Sequence, residues 1–352
     1  MFWQAKKQFV GVDIGADSIK IVCLEKIQDK IILKNSIIEP NLTEIFDRHK
    51  IAKPEELGKR LQNLFKKNKL KTNTVACAVS DSNVFTKKIY VPLTVAKTAL
   101  RKNISEAAVK CIPYDIRAVC YEYQVLGVTD DLQVEVMVVA VKREIVDNYL
   151  LAFGQAGIKP ILIDVTCFAL ENVFIYNYSS AKQQLAVLLD VGQRNVEITV
   201  LDRGRPVAYF ETSVAGGLYV ESLADVFQIL PKEAFLIFKG EVDNRYDDNL
   251  YRQTITNVTK HIVANIVEKL KKQNFGLKFE NIDVIYVTGG CLKVRSLLDE
   301  LVAKTNLPCL HLYPFKKIMD AAGNVITAEL GTQASPFLGV ATGLALRLVE
   351  KK

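Results

Sequence analysis

The 352-residue chain, 49% apolar and 24% charged, is long enough to bury two separate cores, which excludes global disorder. Seven cysteines without a C-x-x-C pair exclude a zinc finger, and three widely spaced histidines (His49, His261 and His311) argue against a histidine metal site or a catalytic triad; reduced, mostly buried thiols fit the cytosol. A net charge of +7, a densest basic stretch (residues 66–71) without aromatic interleaving, and no apolar run approaching roughly 20 residues argue against nucleic-acid binding and a membrane span.

The chain opens Met1-Phe2-Trp3-Gln4-Ala5-Lys6-Lys7, which lacks the apolar core of a signal peptide. An apolar strand then runs into an acidic-glycine step, Phe9-Val10-Gly11-Val12-Asp13-Ile14-Gly15, and a second alternating run follows at 19–24, so a β-hairpin is expected. Residues 54–70 predict an amphipathic helix, 74–80 and 84–92 strands, and 94–111 another helix. Strands are expected at 121–126 and 132–141 around a polar turn, then a helix over 143–155 stopped by Gly157 and Pro160; this middle stretch reads as a compact inserted subdomain. Half a chain after the first hairpin its punctuation returns: 185–189 leads into Asp190-Val191-Gly192, followed by an apolar run at 196–201. Residues 281–288 predict a buried strand ending in Gly289-Gly290 and a helix through Leu301, and 337–346 a last helix whose small residues suit close packing.

One Asp-x-Gly hairpin would be an ordinary turn. Two at equivalent places, with small or polar residues at both tips, point to a duplicated α/β unit that grips one anion from two sides. Gly15 and Gly192 let backbone N–H groups approach a phosphate chain as a concave nest. Ser18 adds a hydroxyl donor and Lys20 a cation, and Gln193 and Asn195 give the second turn uncharged donors. Asp13 and Asp190 would face each other across the cleft and hold Mg²⁺ directly or through its waters. Gly289 and Gly290 would let a ribose or base rest on backbone at a helix start. Neither a Walker loop nor a G-x-G-x-x-G fingerprint is present.

Strand-Asp-x-Gly twice and strand-Gly-Gly resemble the phosphate-1, phosphate-2 and adenosine motifs of the actin, DnaK-type chaperone and sugar-kinase superfamily. Within it the chain is similar to the PilM family of type IV pilus assembly proteins, on Gly11-Val12-Asp13-Ile14-Gly15-Ala16-Asp17-Ser18-Ile19-Lys20, Cys111-Ile112-Pro113-Tyr114-Asp115-Ile116, residues 156–165 and the closing Gly343-Leu344-Ala345-Leu346-Arg347. The resemblance implies an α/β actin-like (ribonuclease H-like) duplicated two-lobed fold with an FtsA-type 1C insertion. Subdomain 1A would take residues 1–74, 156–184 and 331–352, subdomain 1C 75–155, subdomain 2A 185–217 and 258–330, and subdomain 2B 218–257. It also implies ATP or ADP with Mg²⁺ as ligands. Gly15, Ala16, Asp17, Ser18 and Lys20 would form the first phosphate site, Gly192, Gln193 and Asn195 the second, Gly217, Gly289 and Gly290 the nucleoside site, and Asp13 and Asp190 the metal site.

Where relatives often carry Ala-Glu-x-x-Lys on a 2B helix, this chain has Ala234-Phe235-Leu236-Ile237-Phe238-Lys239, leaving Glu233 or Lys239 as substitutes. No residue is clearly placed to orient a hydrolytic water. Glu171 and Asp164 are the candidates, with a surface or capping role favoured for each, so slow or no turnover is expected. The implied partners are a short N-terminal peptide of PilN, in a groove between 1A and 1C, and other pilus platform and motor proteins. The protein would be cytoplasmic, peripheral to the inner membrane through these partners. Two other readings of the same cleft are a small-molecule kinase, for which no convincing catalytic aspartate stands out, and an FtsA-like filament-forming tether, for which the ending 347–352 is too short an amphipathic helix.

Overall fold

A computed structural model describes residues 7–40, 45–47, 50–94, 96–178, 184–240, 246–272, 278–326 and 335–350. The N-terminal heptapeptide up to residue 6, His49, and the parts of the expected subdomains at 41–44, 179–183, 241–245, 273–277 and 327–334 lie outside the described residues.

The chain opens with β1 (Gln8–Ile14), β2 (Ser18–Ile27) and β3 (Lys30–Pro40), followed by β4 (Phe46–Asp47), β5 (Lys50–Ile51), α1 (Pro54–Lys67), β6 (Thr74–Val79) and β7 (Val84–Pro92). Next come α2 (Lys97–Cys111), β8 (Val119–Val128), β9 (Gln133–Lys142), α3 (Arg143–Gln155), β10 (Lys159–Val165) and α4 (Thr166–Asn177). The second half holds β11 (Leu185–Val191), β12 (Val196–Asp202), β13 (Arg205–Thr212), α5 (Gly217–Phe227), α6 (Pro231–Lys239), α7 (Asp248–Lys272), β14 (Val284–Thr288), α8 (Ser296–Thr305), β15 (Cys309–His311) and α9 (Gly339–Glu350).

Two units result, one of Met1–Thr43, Thr74–Ala78 and Ile161–Lys352, the other of Glu44–Asn73 and Val79–Pro160. The first unit contains the duplication. Its two five-stranded sheets have the same order, β3-β2-β1-β6-β10 and β13-β12-β11-β14-β15. In each, a three-strand antiparallel meander is extended by parallel strands: β1 runs parallel to β6, and β11 parallel to β14, which runs parallel to β15. The near-continuous apolar runs of β1, β6, β11 and β14 fit strands covered on both faces.

Helices α4 and α9 supply one cover, burying Leu170, Phe174, Leu344 and Leu348 with Val22, Leu188 and Tyr286. Their approach is backbone to backbone. A Cβ on Gly343 would collide with the Ala169 carbonyl oxygen, and one on Gly11 with that of Ala341. Helices α7 and α8 close a second core with Ile262, Ile266, Leu297 and Leu301 against Val187, Leu189 and Ile285.

In the second unit β7, β9 and β8 form an antiparallel sheet whose valines pack on Ile104 and Ala108 of α2. Helix α1 starts on Pro54, carries Glu55 and Glu56 in its first turn and Lys66 and Lys67 in its last, and buries Leu57, Leu61 and Leu64 at helical spacing. It packs on α3, where Gly58 meets Ala152 and Gln155.

Most expected elements are present with shifted ends. The helix expected from 94 begins at Lys97, and the final helix runs on to Glu350. The helix expected straight after Gly289-Gly290 is divided: Gly289, at φ 106°, turns the chain into a 3-10 segment, Gly290–Lys293, and α8 starts only at Ser296.

Candidate functional site

The two hairpin turns share one backbone plan. Strand pairing ends at Ile14–Ile19 in the first and Val191–Val196 in the second, and each turn is closed by a glycine N–H, Gly15 to Ser18 O and Gly192 to Asn195 O, both at 3.0 Å. The same register places Lys20 opposite Asp13 and Glu197 opposite Asp190. Directly opposed residues project from one face of a sheet. Side-chain chemistry now separates two copies of one backbone.

In the first turn the buried Lys20 Nζ lies 3.1 Å from Asp13 Oδ2. Burial alone would pull this ammonium down, but Asp13, Asp17 and Asp190 together hold it well above the usual lysine range. One cation therefore feels the charge of carboxylates from both hairpins, Asp13 by direct contact and Asp190 by its field.

In the second turn Asn195 Nδ2 donates to Glu211 Oε2 (3.0 Å) and Glu197 Oε1 (3.4 Å). Glu211 stands opposite Glu197 on β13, so Asp190, Glu197 and Glu211 form an acidic row across three strands. The start of α5 braces this turn, with Gly216 N–H donating to Gly192 O and Gly217 N–H to Gln193 O. A Cβ on Gly216 would run into Cys291 Sγ, and one on Gly289 into Asp190 Oδ1. Gly289 also needs its positive φ, so no other residue fits there without strain. Burial pushes the Cys291 thiol up to about 12, which keeps it an inert packing group and a donor to Gly192 O.

Asp17, beyond Ala16 at the tip of the first turn, reaches the second half of the unit. Its Oδ1 accepts from Ser18 Oγ at 3.0 Å, Lys239 Nζ lies 3.7 Å from Oδ2, and a Cβ on Gly290 would be 3.3 Å from Oδ2. Burial works to raise the Asp17 carboxyl, yet Lys20, Lys239, Ser18 and Lys293 outweigh it and hold the group below its usual range. Gly240, left-handed at φ 77°, ends α6 and fixes Lys239 in its last turn. Of the two substitutes expected on this helix, Lys239 is the one that reaches the turn; Glu233 instead accepts from Tyr246 Oη at 2.6 Å.

Asp17, Gln193, Gly216 and Lys293 line a narrow space whose wall of Phe238 and Lys293 is shared with a cavity of about 640 Å³, also lined by Lys239, Tyr251, Arg252 and Arg295. Lys293 Nζ stands 4.2 Å over the Phe238 ring. That volume suits a nucleoside-sized ligand.

Glu171 and Asp164 form a separate group. Tyr209 Oη donates to Glu171 Oε2 at 2.8 Å, and burial raises the Glu171 carboxyl above its usual range. Asp164 Oδ1 accepts from Val165 N–H at 2.9 Å, and its Oδ2 lies 3.4 Å from Arg347 Nε. Sequence reasoning missed Glu197, Gly216 and Lys293. Only Glu197 had a local signal, an acid inside the apolar run at the position matching Lys20 of the first copy. Among the described residues no group of three acidic, histidine or cysteine side chains is placed to hold a metal by itself, and no helix is long and apolar enough to cross a membrane.

A family model described as type IV pilus assembly protein PilM matches residues 11–349. The solved PilM-PilN type IV pilus biogenesis complex contains a chain 23% identical, aligned over 98% of this chain and 100% of that one, with a TM-score of 0.83. The ethanolamine utilization protein EutJ from Carboxydothermus hydrogenoformans aligns over 97% and 90% at 16% identity and TM-score 0.58, and MreB 5 of Spiroplasma citri bound to AMPPNP over 99% and 97% at 13% and 0.53. At these identities the solved structures speak to the fold, which is the actin-like one.

Proposed function

The chain belongs to the type IV pilus assembly protein PilM family, and on that footing we propose that it is a nucleotide-binding scaffold of pilus assembly that holds ATP or ADP on its paired turns. The observation that carries this reading is Lys20: one buried ammonium 3.1 Å from Asp13, close to Gly15 of the first turn and under the charge of Asp17 and of Asp190 from the second hairpin. Phosphate oxygens would take Lys20, Ser18 and the backbone of 15–18 and 192–195. The nucleoside would take the wall of Gly216, Gly217, Gly289 and Gly290 and the adjoining 640 Å³ cavity.

Asp13 and Asp190 fit Mg²⁺, since they offer hard oxygen ligands and already share influence over one cation. When bound, the ion would neutralise phosphate charge. Glu171 is engaged by Tyr209 and Asp164 by Arg347, which supports slow or no hydrolysis as the matching expectation.

The partner is proposed to be the N-terminal peptide of PilN, supported by the family and by the likeness to a chain of the PilM-PilN complex. A cytoplasmic protein held at the inner membrane through PilN, with other platform and motor proteins as further contacts, completes the reading. Titration calorimetry with ATP-Mg²⁺ and ADP-Mg²⁺, and with a synthetic PilN N-terminal peptide, tests the two halves separately. Saturable heat is expected in each; no heat and no melting shift with either nucleotide sinks the nucleotide half.

A further inference from the structure

We infer that Asp17 is a resident competitor of the nucleotide: its carboxylate latches the first turn onto the cations of the second half, and a phosphate must displace it to bind. The inference rests on the nucleotide reading and goes beyond it, because it gives Asp17 a role opposed to ligand contact.

Lys239, in the last turn of α6, lies 3.7 Å from this carboxylate, and Lys20 of β2 and Lys293 of the 3-10 turn after Gly289 act on it through their charge. Ser18 adds a hydroxyl donor at 3.0 Å. A hydroxyl and several ammoniums around an anionic oxygen pair are the partners a phosphate group also seeks. The seat is shaped for an anion as well, since Gly290 presents no Cβ toward Oδ2. Asp17 Oδ2 and the Lys239 ammonium are both largely shielded, with side chains 18% and 20% exposed, so their attraction is less screened than on an open surface.

The consequence is a built-in threshold. A ligand carrying one negative charge gains little by replacing a carboxylate that carries one. A di- or triphosphate, with several charges, can take the cations and release the turn from α6. Asp17 would thus select for polyphosphate chains and set how tightly they bind.

Asp17→Asn keeps size and the acceptor for Ser18 while removing the charge. In titrations of the full chain it should tighten ADP and inorganic pyrophosphate about 10-fold and leave adenosine within about 2-fold. A mere loss of packing cannot tighten binding, so the readout is distinct from a structural effect; a second variant, Lys239→Met, should weaken pyrophosphate. If Asp17 instead helped to hold Mg²⁺, Asp17→Asn would weaken nucleotide with the metal and not without it, which overturns the latch, as does unchanged affinity. If neither the wild type nor Asp17→Asn binds any nucleotide or pyrophosphate, the nucleotide reading itself falls and takes the latch with it.

Discussion

The first and second hairpin turns are one backbone written twice with opposite charges. Both close on a glycine N–H at 3.0 Å, and both carry an aspartate at the strand end. Across from that aspartate the first copy places Lys20 and the second Glu197, itself flanked by Glu211. Duplication supplied the geometry, and divergence at one register position gave it polarity. In the proposed reading the first turn offers an anion a cation, while the second carries only carboxylates. A symmetric site, with lysine or glutamate at both positions, would repel one component of a metal-phosphate ligand.

The sharpest way to break this contrast is to delete the cation of the first copy. Lys20→Ala leaves the buried Asp13 without its ion-pair partner, and should cost about 3–5 kcal/mol in chemical denaturation and abolish nucleotide binding in calorimetry. Asp13→Ala and Asp190→Ala should each weaken Mg-nucleotide binding at least about 10-fold, but not at equal structural cost. Asp13 shares the buried pair, so its loss should destabilise by about 2–3 kcal/mol, against about 1 kcal/mol for Asp190. Equal melting temperatures for the two variants would contradict the asymmetry. Glu197→Gln removes the charge that distinguishes the second copy while keeping an acceptor for Asn195; a change in stability within about 1 kcal/mol and weaker metal dependence of binding are expected.

The smallest effect lies away from both turns. Burial raises the Glu171 carboxyl from its ordinary 4.5, so its protonated form is favoured by folding. That contribution is fully present below pH 4.5 and is lost as pH rises through the raised folded value. Glu171→Gln should therefore be slightly more stable than wild type at pH 7 and no different at pH 4, as read by urea denaturation. The opposite trend would mean that Tyr209 stabilises the charged form.

Much of the site was legible because its chemistry is local. Glycine at a strand end, an aspartate two residues earlier and the recurrence of both half a chain later are visible in the residues themselves, and antiparallel pairing then makes Asp13 and Lys20 neighbours. The partners of Asp17 were not legible. Lys239 and Lys293 come from a helix end and a 3-10 turn far along the chain, and no periodicity relates them to residue 17. The need for glycine at 216 was hidden too, because it arises from Cys291, a contact between distant segments. Of the fold, the duplicated sheets followed from the repeated hairpins. The grouping of Glu44–Asn73 with Val79–Pro160 depends on α1 meeting α3, which local pattern does not encode.

The glycine contact between β1 and α9 also bears on the order in which the protein is made. The helix backbone that Gly11 rests against, around Ala341, is translated more than 300 positions after it. The second sheet draws its strands from residues 185–311, so it can gather while synthesis is still under way. The first turn must wait for α9 before it has a rigid back, and the two copies of the motif would mature in the reverse of their order in the gene.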